Sequence, residues 1–240
     1  MKIIKTKNYE ELSKEAAKIF IGVIKEHENP KIGLATGSTP VGMYQELVKA
    51  HKEGLDFSNV VSYNLDEYIG LPADHEESYD YFMHENLFNS INIPEENIHL
   101  PKGNTDDPEQ AAKDYEKALE ETGGMDIQIL GIGVNGHIAF NEPAEELARD
   151  TTIVQLTDST IEANSRFFPT KEEVPTKAIS MGMRSIFRAK KILLLINGKA
   201  KRDAADYIMN SGMISTKVPA SLLHLHPDVT LIIDEEAYGE

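Results

Sequence analysis

The residues best suited to chemistry lie in the tract GIGVNGH at residues 131–137. Its glycines match G-x-G-x-x-G, which cradles a dinucleotide when a helix opens at the third glycine. Here the tract continues with HIAFNEP, and the residue before a proline avoids the helical conformation. We therefore interpret the glycines as points of sharp turning and close approach that present Asn135, His137 and Glu142 at the end of a strand.

A histidine beside a carboxylate is a proton-transfer pair. The carboxylate of Glu142 fixes the tautomer of the His137 ring and favours its protonated form. The alternative is a buried histidine that only makes structural hydrogen bonds, which is the commoner role of a lone histidine. The neighbouring glycines and Glu142 favour the catalytic interpretation.

Two adjacent carboxylates, Asp66 and Glu67, follow a second apolar strand in the segment NLDEY. Successive side chains of a strand point to opposite faces, so at most one of the two faces a cleft if the strand continues. One interpretation makes one of them a general base. The other is a solvated loop with a carboxylate that caps a helix, and residue types alone leave both open.

The turn TGSTP follows the first buried strand and precedes a helix. Gly37, Ser38 and Thr39 expose backbone N–H groups near a helix N-terminus, which is a favourable site for phosphate. An ordinary turn with Thr39 as the helix cap is an equally good interpretation. Arg166 and Lys201 are two further candidates for clamping a phosphate.

Apolar strands alternate with helical segments along the chain, which predicts a mostly parallel sheet covered by helices on both faces. In such sheets, ligands bind beyond the carboxyl ends of the strands, where the candidate residues lie. We expect one domain over residues 1–240. Predicted strands cover residues 31–36, 60–65, 126–131, 152–156, 178–181, 192–196 and 229–233, and predicted helices cover residues 9–26, 41–52, 78–88, 108–121, 159–168 and 199–209.

Composition excludes several classes of protein. The chain has 240 residues, a net charge of −16 and no cysteine, so disulfides, thiolate metal sites and cysteine nucleophiles are impossible. The acidic charge argues against broad binding to nucleic acid. We expect no secretory signal and no membrane span, and the absence of cysteine fits a cytoplasmic location.

Four motifs in this order, TGSTP, NLDEYIGLP with HEESYDYFM behind it, GIGVNGHIAFNEP and NSRFF, resemble the glucosamine-6-phosphate deaminase family. The resemblance covers nearly the whole chain. It implies an α/β three-layer sandwich with a mostly parallel central sheet, a modified Rossmann-type fold that binds no nucleotide. It also implies conversion of glucosamine 6-phosphate and water to fructose 6-phosphate and ammonia in amino-sugar breakdown, with no metal and no organic cofactor.

The same resemblance implies roles for the candidate residues. Asp66 moves the proton between C2 and C1 of the sugar, and His137 assists ring opening. Asn135 and Glu142 orient and tune His137. A segment over residues 159–168 resembles a mobile lid. The phosphate would be held by Gly37, Ser38, Thr39, Arg166 and Lys201.

Two departures from the family pattern carry expectations. Some members have Asp where this chain has Asn135, so we expect a shifted pH optimum. The residues that bind an N-acetylated sugar phosphate in allosteric members are replaced here by Glu145, Thr152 and Val154. An acid and two uncharged side chains do not hold a phosphate dianion. We therefore expect no such allosteric site, and a monomer or small homo-oligomer.

Three rival functions remain at this stage. A 6-phosphogluconolactonase-like hydrolase shares the fold and the phosphate turn but does not need the Asp66-Glu67-Tyr68 segment. A sugar-phosphate sensor usually carries a basic helix-turn-helix, for which this acidic chain offers no segment. A dinucleotide-dependent dehydrogenase is the third.

Overall fold

The computed structural model describes residues 1–157, 160–162, 165, 168, 170 and 173–239. Its main feature is a seven-stranded sheet in which every neighbouring pair of strands is parallel. This confirms the predicted α/β class with a parallel central sheet. In chain order its strands are β1 (Lys2–Thr6), β2 (Lys31–Leu34), β3 (Val61–Asn64), β5 (Ile98–His99), β6 (Ile127–Leu130), β9 (Ile192–Ile196) and β10 (Val229–Asp234), and their spatial order is β1-β10-β9-β6-β2-β3-β5.

Helices flank this sheet. The first shows why the sequence folds locally as it does: Asn8 caps it by accepting a hydrogen bond from Glu11 N at 3.0 Å, and its apolar stripe packs into the core. Its bounds are those that periodicity predicts. The α-helices whose bounds lie within the described residues are α1 (Tyr9–Glu26), α2 (Ser38–Lys52), α3 (Tyr79–Asn86), α4 (Pro108–Thr122), α5 (Met183–Phe187), α6 (Arg202–Asn210) and α7 (Glu235–Tyr238).

The start of α2 differs from the prediction. The helix begins at Ser38, not Val41, and Gly37 precedes it with φ +91°. Pro40 is tolerated in the first turn because the N–H groups there have no partner within the helix. The interpretation of Thr39 as the cap is wrong, since its hydroxyl donates a hydrogen bond to Asn197 Oδ1 at 2.7 Å.

Two predicted strands leave the main sheet. β7 (Thr152–Gln155) and β8 (Lys177–Ser180) pair antiparallel with each other, and β8 pairs antiparallel with β4 (Asp66–Tyr68), giving a separate small sheet. An aromatic and aliphatic cluster around Tyr68 packs on it, apart from the main core. Apolar periodicity predicts a strand but does not name its partner, which is why the two sheets were merged in the prediction.

The strand order places a crevice between β2 and β6. The chain leaves β2 toward β3 on one side, whereas it leaves β6 toward β9 on the other. Such a point, where the direction of winding reverses, is the usual ligand site of an open parallel sheet. The turn after β2 and the glycine tract after β6 therefore meet at the carboxyl edge of the sheet.

No helix within the described ranges is long and apolar enough to cross a membrane. The helix predicted over residues 159–168 lies partly outside the described residues, and the described residues 160–162 are helical.

Candidate active site

Asp66 and Glu67 are both buried, at the junction between β3 and the small sheet. The alternation of strand side chains separates them, as the sequence predicts. The carboxylate of Glu67 accepts hydrogen bonds from the backbone N–H groups of Tyr79 at 3.0 Å and Asp80 at 2.9 Å. Glu67 therefore binds the first turn of α3, and Asp66 is the member of the pair left for chemistry.

The surroundings of Asp66 disfavour its charged form. Burial raises the pKa of Asp66 to about 8, and the negative charge of Glu67 adds to the rise. No hydrogen bond from the described residues offsets this cost. A carboxyl group with a pKa near neutral can both take up and release a proton, which a carboxylate in water does poorly.

Glu67 is also buried, but three backbone N–H groups donate hydrogen bonds to its carboxylate. Burial raises the pKa of Glu67 to about 7, although the N–H groups of Tyr79, Asp80 and Tyr68 lower it. A buried carboxylate that reaches a helix N-terminus also gains from the helix dipole. The alternative of a solvated loop with an N-cap carboxylate is wrong, because Glu67 is buried in β4 and Ser78 is the N-cap of α3.

The glycine tract forms a closed turn. Gly133 N donates to His137 O at 2.9 Å and Gly136 N to Gly133 O at 3.0 Å, and a β-bridge joins Ile138 and Asn141. No helix opens after Gly136, whose φ is +81°. The dinucleotide interpretation of this tract is therefore excluded on structural grounds.

Gly133 lets the imidazole approach the backbone. A Cβ atom at this position would lie 2.2 Å from Cε1 and 2.3 Å from Nδ1 of His137, so the ring lies directly against the glycine. Gly131, two residues earlier, is different: the nearest atom to a Cβ there is Thr39 Cβ at 3.9 Å. The close-approach interpretation of the tract is confirmed at Gly133.

Glu142 returns to the start of the turn and contacts both other candidates. Its Oε1 lies 3.2 Å from His137 Nδ1, and its Oε2 accepts a hydrogen bond from Asn135 Nδ2 at 2.8 Å. Asn135 Oδ1 in turn accepts from His137 N at 3.2 Å. Thr160 Oγ1 donates to Glu142 Oε1 at 2.6 Å. The turn thus brings the three predicted residues together with a fourth from a distant segment.

These contacts keep Glu142 ionised. Burial alone raises the pKa of a carboxyl, but hydrogen bonds and the charge of His137, with donors from Thr160 and Asn135, lower the pKa of Glu142 to about 2. A fixed anion at this position holds the His137 ring and compensates a positive charge on it.

The Asp66 strand and the His137 turn are joined through β8. Met181 N donates to Leu65 O at 2.9 Å, and Met181 O accepts from Asn141 Nδ2 at 2.9 Å. The strand partner of Asp66 is Ser180, whose hydroxyl accepts from Phe140 N at 3.1 Å. The end of β8 therefore sets the separation of the two loops that carry the candidate acid–base groups.

The turn after β2 is open to solvent. Gly37 and Ser38 are exposed, and Tyr9 Oη donates to Ser38 O at 2.9 Å. The hydrogen bond from Thr39 to Asn197 ties this turn to the end of β9. The helix N-terminus and these small residues are suitable for an anion.

Of the two cationic candidates, Lys201 closes the turn after β9. It is partly exposed, and its backbone N donates to Gly198 O at 3.1 Å. Because Asn197 in the same turn is bonded to Thr39, Lys201 belongs to the segment beside the phosphate turn. Arg166 lies outside the described residues.

Sequence reasoning missed three contributors. Asn141 lies inside the FNEP motif, so the sequence carries a signal that it belongs to the site. No motif in the sequence marked Ser180 or Thr160. Thr160 follows Glu142 by 18 residues, and no spacing rule connects them. Within the described residues, no group of three or more His, Asp and Glu side chains is arranged to hold a metal ion.

Comparison with known proteins gives close relatives. The family described as Glucosamine-6-phosphate isomerases/6-phosphogluconolactonase matches residues 5–232. A glucosamine-6-phosphate deaminase of Thermoanaerobacter pseudethanolicus is 57% identical over 238 residues, which are 99% of this chain and 94% of the relative. One of Clostridioides difficile is 52% identical over 238 residues, which are 99% of this chain and 95% of the relative.

Solved structures agree with these relatives. A monomeric glucosamine-6-phosphate deaminase superposes with a TM-score of 0.96 at 45% identity, covering 99% of this chain and 98% of that chain. A 6-phosphogluconolactonase of Trypanosoma cruzi superposes with a TM-score of 0.79 at 23% identity, covering 98% of this chain and 95% of that chain. At that lower identity the likeness concerns the fold alone.

Proposed function

The chain belongs to the family of glucosamine-6-phosphate isomerases and 6-phosphogluconolactonases, and from this premise we propose that it is a glucosamine-6-phosphate deaminase. It converts glucosamine 6-phosphate and water to fructose 6-phosphate and ammonia. The observation that carries the proposal is the pairing of a buried Asp66 with the His137–Glu142 pair across the end of β8. Relatives above 50% identity with this activity support it.

The reaction needs a base beside C2 of the open-chain sugar. In our proposal the Asp66 carboxylate removes the proton from C2 and returns it to C1. Atom C2 is then left as an imine, which water hydrolyses to the ketone with release of ammonia. A pKa of about 8 suits a group that must accept and give back the same proton near neutral pH.

Ring opening needs a proton donor at the ring oxygen, and we assign this to His137. Glu142 orients the imidazole through Nδ1 and remains ionised, so the ring can carry a positive charge. Asn135 holds Glu142 through the other carboxylate oxygen. Each such positioned acid or base typically contributes about 10²–10⁴-fold to the rate.

The phosphate lies, in our proposal, at the start of α2. The backbone N–H groups of Gly37, Ser38 and Thr39 meet it at a helix N-terminus, and Lys201 and Arg166 supply positive charge. Binding energy from this remote group orients C1 and C2 at the acid–base residues. Ser38→Pro, which removes one donor N–H, is expected to raise KM more than it lowers kcat.

We further propose a single catalytic domain that acts as a monomer without an allosteric site. The solved relative described as monomeric supports the oligomeric state. Glu145, Thr152 and Val154 support the absence of a second phosphosugar site, because they offer no positive charge. Sedimentation analysis and rate curves with and without N-acetylglucosamine 6-phosphate test both points, and a sigmoidal curve that this sugar makes hyperbolic overturns the second.

The decisive experiment compares two substrates. Ammonia release from glucosamine 6-phosphate is measured beside hydrolysis of 6-phosphogluconolactone, with the same preparation of purified protein. We expect ammonia and fructose 6-phosphate in equal amounts and no lactone hydrolysis above the uncatalysed rate. Lactone hydrolysis without ammonia release would overturn the proposal in favour of the hydrolase.

A further inference from the structure

Thr160 contacts the candidate acid–base residues from outside their turn. Its side chain is 9% exposed, and its Oγ1 lies 2.6 Å from Glu142 Oε1. The residue is helical and belongs to the segment that follows β7, not to the glycine tract. Its hydroxyl is thus buried against a carboxylate oxygen supplied by another part of the chain.

The two oxygens of Glu142 have different partners. Oε2 accepts from Asn135 Nδ2, whereas Oε1 receives the Thr160 hydroxyl and also faces His137 Nδ1 at 3.2 Å. Among the described residues, Asn135 is the other uncharged side chain that donates a hydrogen bond to this carboxylate, and it does so at Oε2. The Thr160 hydroxyl therefore holds the carboxylate oxygen that faces the imidazole.

The direction of this hydrogen bond follows from its partners. An ionised carboxylate only accepts, so the Thr160 hydroxyl donates its proton to Glu142. Thr157 Oγ1 lies 3.1 Å from Thr160 Oγ1 and serves as its donor, while Thr160 N donates back to Thr157 Oγ1 at 3.3 Å. Two hydroxyls thus form a chain that ends on Glu142, and donors in such a chain strengthen one another.

We propose that Thr160 is a positioning residue for the deaminase reaction: its hydroxyl fixes Glu142 Oε1 in the orientation that aims the His137 ring at the sugar. The inference rests on the proposed function of the site. Thr160 acts through Glu142 and does not touch the substrate. Among the described groups in contact with Glu142, His137 is the one that ionises, and Asn135 and Thr160 are uncharged donors.

The first test removes the hydroxyl and keeps the shape of the side chain. Thr160→Val is expected to lower kcat about tenfold with KM within about twofold, because a charge-assisted hydrogen bond is lost away from the substrate. Thr160→Ser keeps the hydroxyl and is expected to stay within about threefold of the wild-type kcat. A wild-type kcat in Thr160→Val would overturn the inference.

Thr157→Val is the matched control. It removes the hydroxyl that accepts from Thr160 N and donates to Thr160 Oγ1, and it leaves the bond from the Thr160 hydroxyl to Glu142 in place. If Thr160 only stabilised this helical turn, Thr157→Val and Thr160→Val would lower kcat alike. We expect Thr157→Val to have less than about a third of the effect, and equal effects would overturn the inference.

A double-mutant cycle tests the route of action. If Thr160 acts through Glu142, Thr160→Val should lower kcat by less than about twofold in a Glu142→Gln background. Additive losses would show a separate structural role and overturn the inference. Thermal unfolding and circular dichroism of every variant identify any loss of folded protein, and Thr160→Ser keeps the test informative if Thr160→Val unfolds.

This test separates two kinds of failure. If the proposed function is wrong, the wild-type protein itself releases no ammonia from glucosamine 6-phosphate. If only the role of Thr160 is wrong, the wild type is active and the cycle is additive, or Thr160→Val is fully active.

Discussion

The strand end after β3 and the turn after β6 each place a carboxyl group at the carboxyl edge of the sheet, in opposite surroundings. Asp66 is buried and lies beside another acid, which raises its pKa to about 8, and no donor among the described residues offsets the rise. Glu142 is also largely buried, yet the donors His137, Thr160 and Asn135 outweigh burial and lower its pKa to about 2. Burial alone therefore does not decide the protonation of a carboxyl group in this molecule, because the hydrogen-bond donors and the positive charge that face the group also shift its pKa.

The difference assigns two roles to the same chemical group. A carboxyl that titrates near neutral pH can carry a proton, whereas one that stays ionised can only orient and compensate charge. Glu67 lies between the two cases, because three N–H donors only partly offset its burial, and its pKa is raised to about 7. The predictions below test whether donors and burial divide the roles in this way.

Asp66→Asn is expected to have the largest effect. The amide keeps the size of the side chain but cannot take a proton, so kcat should fall about 10³-fold with substrate binding kept. Exchange of the C2 hydrogen with deuterium in solvent should disappear together with ammonia release. Asp74→Asn, at an exposed carboxyl, is the matched control and should leave both rates unchanged. Full retention of C2 exchange in Asp66→Asn would move the role of base to another group.

Gly133→Ala tests the other side of the comparison, where geometry and not burial sets the chemistry. A methyl group at residue 133 overlaps the His137 ring, which must move away from Glu142 or from the substrate. A displacement of about 1 Å can cost about 10²-fold in rate, so we expect a loss of kcat of that order.

Gly131→Ala is the control for this change, because a methyl group there meets only ordinary contact distances. Both variants should unfold at similar temperatures, and the loss of kcat should occur in Gly133→Ala alone. Equal kcat values in the two variants would contradict the contact between Gly133 and His137.

The free energy of unfolding should depend on pH in opposite directions for Asp66 and Glu142, because one pKa is raised and the other is lowered. The raised pKa of Asp66 means that its stabilising contribution is complete below its ordinary value of about 3.9 and is lost as pH rises through about 8. Asp66→Asn should therefore gain stability relative to the wild type between about pH 5 and about pH 8.5, by on the order of 4 kcal/mol. Urea denaturation at these pH values measures the difference.

The lowered pKa of Glu142 has the opposite consequence. Its contribution is present above its ordinary value of about 4.3 and is lost as pH falls toward 2. Glu142→Gln should be less stable than the wild type at about pH 6, and the gap should narrow by about 1 kcal/mol toward about pH 3, a modest change because solvent screens a partly open group. Parallel pH curves for the two variants would show that their surroundings do not differ as described.

Features set by residues close in sequence could be predicted, whereas the pairing of distant strands could not. The bounds of α1 followed from its apolar stripe, and the Asn135–Glu142 tract was recognisable because its residues are close in sequence. The separate pairing of β7 and β8 was not readable, because periodicity does not report which strand is the neighbour. The start of α2 was missed because Gly37 at positive φ lets the helix begin before Pro40.

The surroundings that set the two pKa values were beyond local reasoning. Glu67 is bonded by N–H groups 12 and 13 residues away, and Glu142 by a hydroxyl 18 residues away. The adjacent acids Asp66 and Glu67 were two equal candidates for a general base in the sequence. Only the position of α3 shows that Glu67 is the one whose carboxylate is hydrogen-bonded to a helix. The residues of the site were therefore easier to predict than the division of labour among them.

Glu67→Gln is the finest test, because it changes the charge next to Asp66 and leaves both candidate catalytic groups in place. In the wild type, kcat/KM should rise with pH toward about 8 as Asp66 loses its proton in the free protein. Removing the neighbouring negative charge lowers the pKa of Asp66. The rising limb of the plot of kcat/KM against pH should therefore move to lower pH by about half a unit to one unit. The ionisation of the substrate phosphate cancels when both proteins are measured on the same substrate. Thermal unfolding checks that a neutral side chain still holds the start of α3, whose N–H groups lose a charged acceptor.

A limb that stays in place in a folded Glu67→Gln protein would mean that burial alone raises the pKa of Asp66, and a limb that moves upward would mean that Asp66 is not the titrating group.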